Sequence, residues 1–130
     1  MIIKVVAALI EKEGKYLIAR RSTGDINVMG KWEFPGGKVK DDESEFHAIE
    51  REINEEFELV IKANKFLVNN VCEYPTKTVD LRLYDCSYIS GEFNLHDHSE
   101  YKFVSKSELL NYDLCPADIK LAEYVIKSNE

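Results

Sequence analysis

The sequence predicts an α/β domain in which a mixed β-sheet is covered by helices. Strand-like runs come first, one amphipathic helix follows, then more strands, then helices; an alternating parallel β/α wheel does not have that order. The 130 residues are one domain's worth, since domains most often hold about 100–150. Hydrophobic residues make up 45% and charged residues 32%, which is enough apolar side chain for a buried core. With no repeat, linker or break in composition, residues 1–130 read as a single domain.

The elements follow in order. Ile2–Ile10 is rich in β-branched residues, Tyr16–Ala19 is a second apolar run, and Glu13-Gly14 lies between them, which predicts a β-hairpin. Ser22–Lys31 is polar, contains Gly24 and Gly30, and reads as a loop. Trp32-Glu-Phe-Pro-Gly-Gly37 then brings two bulky aromatics and a Pro-Gly-Gly turn. From Ser44 to Phe57 the apolar residues Phe46, Ile49, Ile53 and Phe57 recur at spacings of 3 and 4, one stripe of a helix. Asp41, Asp42, Glu43 and Glu45 crowd its N-terminal end, where the helix dipole favours anions, and Ser44 or Asp42 supplies the cap. Strands are expected at Lys65–Glu73 and Val79–Ile89 around the turn Tyr74–Lys77, and a short one at Tyr101–Val104. Ser105 opens a small helix through Leu110. Pro116 suits the first turn of a last helix with a stripe of Ile119, Leu121, Ala122, Val125 and Ile126.

Composition excludes several function classes. With 24 acidic and 17 basic residues the net charge is −7, and the only basic pair is Arg20-Arg21. A grip on a nucleic-acid polymer needs clustered Lys and Arg, so none is expected. A phosphate-bearing ligand needs a bridging cation to overcome the repulsion. The longest apolar run, Val5–Ile10, is far below the ~20 residues of a membrane span, and Met1-Ile-Ile-Lys does not open a signal peptide. A cytoplasmic location is expected. Cys72, Cys86 and Cys115 fit neither a disulfide framework nor a zinc pattern and are expected as reduced thiols packed like small apolar groups.

The chemistry sits on the first helix. At about 100° per residue, Glu52, Glu55 and Glu56 fall within about 100° of one another, so their carboxylates converge. An oxygen-rich cluster suits a hard divalent cation, Mg²⁺ or Mn²⁺. Arg51 lies beside Glu55 and can orient a carboxylate, and the neighbouring apolar stripe anchors the acids on a rigid element. Around these residues runs a longer pattern: Gly37, five residues, Glu43, seven residues, then Arg51-Glu52-Ile53-x-Glu55-Glu56. This pattern resembles the Nudix box. One position departs: where that family carries Gly near the end of the box, this chain has Glu58. Such a Gly closes the helix in the left-handed conformation, which costs another residue roughly 1 kcal/mol, so a reshaped or strained exit is expected.

The resemblance runs nearly end to end and is closest to the MutT-type branch, which includes CTP pyrophosphohydrolases and 8-oxo-dGTP diphosphatases. Glu11–Arg21 looks like the branch's opening hairpin, Trp32–Gly37 like its lead-in to the box, and Tyr112-Asp-Leu-Cys-Pro116-Ala-Asp118 like the element that reads the nucleobase. The resemblance implies an α/β/α sandwich with a mixed sheet between helices. It also implies metal-dependent hydrolysis of a nucleoside diphosphate linked to a further group. Carried over by position, the Gly36 carbonyl, Glu52, Glu55 and Glu56 would be metal ligands, with Glu43 and Arg51 orienting them. Asp97, six residues before Phe103, would complete the set, with Glu100 in competition. Glu52 is expected as the base and Asp97 is the alternative. Arg21 would meet phosphates.

Phe34 and Tyr74 would flank a base or else serve as core aromatics. Lys77 matches a basic turn position, or is a solvated turn residue. Asp118 would accept from an exocyclic amine, as carboxylates do with cytosine N4, or else caps the helix near Pro116. His96-Asp97-His98 suggests a transition-metal site, but no Cys or third His is suitably spaced. The expected reaction is Mg²⁺-dependent hydrolysis of a (d)NTP to a monophosphate and pyrophosphate, with Mn²⁺ as a substitute ion. CTP-like or oxidised nucleotides are the expected substrates. The partner is then a small nucleotide and the protein a monomer or homodimer. Other Nudix substrates, such as ADP-ribose or a dinucleoside polyphosphate, and a silent nucleotide-sensing domain are the alternatives.

Overall fold

A computed structural model describes residues 2–24, 26 and 28–128. The strands are β1 (Ile2–Lys12), β2 (Lys15–Arg21), β3 (Trp32–Glu33), β4 (Gly36–Lys38), β5 (Leu59–Tyr74), β6 (Lys77–Gly91) and β7 (His98–Ser105). Helix α1 (Glu45–Phe57) lies between β4 and β5, and a 3-10 turn (Lys106–Asn111) and helix α2 (Pro116–Lys127) end the chain. The main path of the sheet runs β3-β2-β1-β6-β5, with β4 on β1 and β7 on β2. It is mixed, because β1 pairs β6 in parallel from Ile2↔Thr78 to Ile10↔Cys86 while the other pairings are antiparallel.

The uninterrupted apolar run in β1 is explained by burial on both faces. Val6, Ala8 and Ile10 point into one core with Ile49, Ile53 and Phe57 of α1, and Ala7 and Leu9 point into another with Leu121, Ala122 and Val125 of α2. Two cores on opposite faces of one sheet make the α/β/α sandwich. Glu13 (φ 54°) and Gly14 (φ 79°) are both left-handed, as a two-residue hairpin turn between right-twisted strands requires. Among the described residues no helix is long and apolar enough to cross a membrane. Cys86 and Cys115 are buried, Cys72 is half-buried, and all three are free thiols.

Some local expectations need correction. Phe46 is 45% exposed and meets Tyr84 edge-on at 5.2 Å, while Ala48 joins the buried stripe instead. Ile119 is likewise 40% exposed, and Ala117 and Asp118 take its place inside. The Pro-Gly-Gly segment is not a turn: Gly36–Lys38 is a strand paired with Val5–Ala7. A side chain on Gly36 would strike the Val6 carbonyl, so only Gly permits that approach. Strand β5 begins at Leu59, directly after the helix, and β7 at His98, so both start earlier than expected.

Candidate active site

Helix α1 begins at a side-chain cap, the Ser44 hydroxyl accepting from His47 N–H at 3.1 Å. Glu43 is thereby left to face Arg51. The Arg51 guanidinium donates through Nε and Nη2 to both Glu43 oxygens, at 2.5 and 2.8 Å. Its Nη1 donates to Glu52 at 2.9 Å and Glu55 at 3.0 Å, and Nη2 also to the Lys38 carbonyl at 3.1 Å. One planar fork therefore orients three carboxylates. The hydrogen bonds from Arg51 hold Glu43 well below the usual carboxylate range, and those to Glu43 hold Arg51 above its own.

Glu56 sits deeper. Its side chain is 15% exposed, and its carboxyl is pushed up to about 9 by burial first, then by a hydrogen bond with Glu52 and the charges of Glu33, Glu52 and Asp97. Gly37 makes room for this cluster, because a Cβ there would run into the Glu52 carboxylate. Asp97 is exposed on the loop before β7, its carbonyl accepting from Ser22 N–H at 3.2 Å and Ser22 Oγ at 2.8 Å. Glu100 is instead paired with Arg20 at 3.3 Å. The donor set of clustered carboxylates, with like charges around a buried member, fits a hard divalent cation.

A cleft of about 650 Å³ opens beside Glu56 and is lined by Arg21, Glu33, Phe34, Gly36, Gly37, Tyr74, Lys77 and Asp118, among others. On the α2 side of the cleft Asp118, 5% exposed, accepts from the Phe34 N–H at 3.0 Å. Its carboxyl therefore reaches across to the strand side and does not cap its own helix. Burial, and then the charge of Glu33, pushes Asp118 well above the usual carboxylate range. Trp32 positions this side: its N–H donates to the Asp113 carbonyl and its carbonyl accepts from Cys115 N–H, both at 2.8 Å, which docks the start of α2 on β3. Phe34 is 2% exposed and belongs to the core as well as the cleft wall. Tyr74 and Lys77 flank the β5–β6 turn, with the Lys77 ammonium 6.0 Å from the Tyr74 ring centre.

Glu33, which sequence reasoning missed, and His98, which it weighed only as part of a transition-metal triplet, link Arg21 to Glu56. Glu33 accepts from Arg21 Nη1 at 3.0 Å and from His98 Nε2 at 2.9 Å. His98 is buried and stacks on Phe57 with ring centres 4.9 Å apart. Its Nδ1 lies 3.8 Å from Glu56 Oε1 and has no hydrogen-bond partner among the described residues. A two-residue strand and a buried histidine at a strand start carry no periodic signal that could have marked them. Glu33, Cys115 and Asp118 also bring three potential ligand atoms within 4.8 Å. Burial pushes the Cys115 thiol up to about 12, so it stays protonated and is a poor ligand.

Comparison with known proteins places this fold among the Nudix hydrolases. The NUDIX domain family model matches residues 5–124, and the chain belongs to that family. It is 36% identical over 121 residues to a CTP pyrophosphohydrolase of Escherichia coli, covering 93% of this chain and 89% of the relative. It is 31% identical over 121 residues to an 8-oxo-dGTP diphosphatase of Haemophilus influenzae, covering 92% and 88%. The crystal structure of a MutT protein from Methanosarcina mazei superposes with a TM-score of 0.83 at 32% identity, covering 95% of this chain and 90% of that one.

Proposed function

We propose that the protein is a Mg²⁺-dependent nucleoside triphosphate pyrophosphohydrolase that cleaves between the α and β phosphates, releasing a nucleoside monophosphate and pyrophosphate. The observation that carries this reading is that Glu56, hydrogen-bonded to the Arg51-ordered Glu52, lines the same cleft as Arg21, Glu33 and the buried Asp118.

Glu52, Glu55, Glu56, Asp97 and the Gly36 carbonyl would hold the ion, with Mn²⁺ as a substitute. When bound, it supplies the positive charge that lets a polyphosphate approach these acids and polarises the oxygens that react. Arg51 aims Glu52 and Glu55, and is itself fixed by Glu43. Glu52 takes the proton of the attacking water. Arg21, already turned into the cleft by Glu33, meets a phosphate. The base lies against Tyr74 with Lys77 at the rim, and Phe34 backs the cleft wall from the core. Asp118 and Glu33 read its polar edge, which favours a cytosine-type or oxidised base presenting an exocyclic amine or altered edge. The 36% identity to a CTP pyrophosphohydrolase supports the first of these.

The test is a panel of CTP, dCTP, 5-methyl-dCTP, dGTP, 8-oxo-dGTP, ATP and ADP-ribose incubated with Mg²⁺, with products identified by chromatography. Monophosphate and pyrophosphate from one base class is the expected result. Turnover of ADP-ribose alone, or nucleotide binding without turnover, overturns the proposal.

A further inference from the structure

Helix α1 ends on a residue ill suited to its backbone. Glu58 has φ 58° and ψ 34°, the left-handed conformation, and its N–H closes the helix on the Asn54 carbonyl at 2.9 Å. Glycine adopts that conformation at no steric cost, whereas any residue with a Cβ does not. The Glu58 side chain, however, is engaged. Its Oε2 accepts from Asn94 Nδ2 at 2.8 Å and from His96 Nε2 at 2.7 Å. Two backbone bonds run alongside, from Asn94 N–H to the Phe57 carbonyl at 3.1 Å and from His96 N–H to the Glu56 carbonyl at 3.2 Å. The residue after His96 is Asp97, whose charge reaches Glu56 and whose carbonyl is held by Ser22. The helix exit and the loop are thus laced together at the point where the loop presents its acid to the cluster.

We infer that Glu58 is a positioning residue: its carboxylate clasps the 94–96 loop and so sets where Asp97 stands beside Glu56. The inference rests on the reading of Asp97 as a ligand of the divalent ion. A glycine at this position would fit the backbone and lack the clasp, so the two contributions can be separated by substitution.

The variants are Glu58→Gly, which relieves the backbone, and Glu58→Gln, which keeps an oxygen acceptor. The first readout is amide hydrogen exchange of the metal-free protein at Asn94 and His96. The second is Mn²⁺ affinity by calorimetry. The third is kcat against KM for whichever nucleotide of the panel is turned over. Glu58→Gly is expected to keep or raise the melting temperature, to speed exchange at both amides by roughly tenfold as local opening becomes easier, and to weaken Mn²⁺ binding and lower kcat with little change in KM. Glu58→Gln is expected to restore exchange and affinity. Unchanged exchange in Glu58→Gly overturns the clasp. Faster exchange with unchanged Mn²⁺ affinity overturns the positioning role, and an Asp97→Asn variant that also binds Mn²⁺ normally assigns that failure to the reading of Asp97 as a ligand.

Discussion

Glu56 titrates far from its ordinary value of 4.5 because folding buries it among acids, which raises it to about 9. Between those values the folded state binds a proton that the unfolded state has released. The stability of the metal-free protein therefore falls as pH rises through that window, by at most about 1.4 kcal/mol per pH unit. Glu56→Gln removes the titrating group. It is expected to match the wild type near pH 5 and to melt higher than the metal-free wild type at pH 8; parallel profiles for the two proteins would refute the assignment. Asp118 supports a second prediction. Asp118→Ala strands the buried Phe34 N–H, which costs about 1–3 kcal/mol, whereas Asp118→Asn keeps an acceptor and changes base preference with little loss of stability. Denaturant unfolding and the nucleotide panel read the two effects separately. An unchanged preference in Asp118→Asn would remove that residue from base reading.

At the scale of elements, α1 was legible in the sequence because its signals are local. Ser44, Ile49, Ile53 and Phe57 hold their expected places, and the box acids lie on the face that their spacing implies. Phe46 misleads the periodicity because the stripe turns at the helix start, where Arg82 and Tyr84 reach Glu45 and leave the ring above them exposed. The start of β5 was hidden because the chain passes from helix to strand across one residue, Glu58, with no Gly or Pro to mark the change. Glu33 and His98 were illegible for another reason: their partners are separated from them by 12 or more residues, so only the assembled sheet brings them together. The two glycines of β4 make distinct predictions. Gly36→Ala drives a methyl into the Val6 backbone, where nothing flexible can yield, and is expected to destabilise the fold. Gly37→Ala first meets the end of the Glu52 side chain, which can swing aside, so it is expected to cut turnover while costing less stability than Gly36→Ala. Equal losses of stability in the two variants would contradict this reading of β4.

At the scale of the whole molecule, the net charge of −7 and the clustered acids pull in the same direction. Folding concentrates Glu33, Glu52, Glu56 and Asp97 in one region, where they repel. A divalent ion bound by this cluster should therefore stabilise the fold as well as enable turnover, while simple salt screens exposed charges more than buried ones. An ion at a hundred times its dissociation constant adds about 2.7 kcal/mol, which for a domain of this size is roughly 10 °C in Tm. Mg²⁺ is expected to raise the melting temperature of the wild type by that order, and EDTA to reverse the rise and abolish turnover. A Glu55→Gln, Glu56→Gln double variant should lose both the shift and the activity, by orders of magnitude in kcat. KCl at matched ionic strength should reproduce little of the shift. A full shift with KCl would trace the stabilisation to general screening of the acidic surface, and a fully active double variant would remove the helix carboxylates from the chemistry.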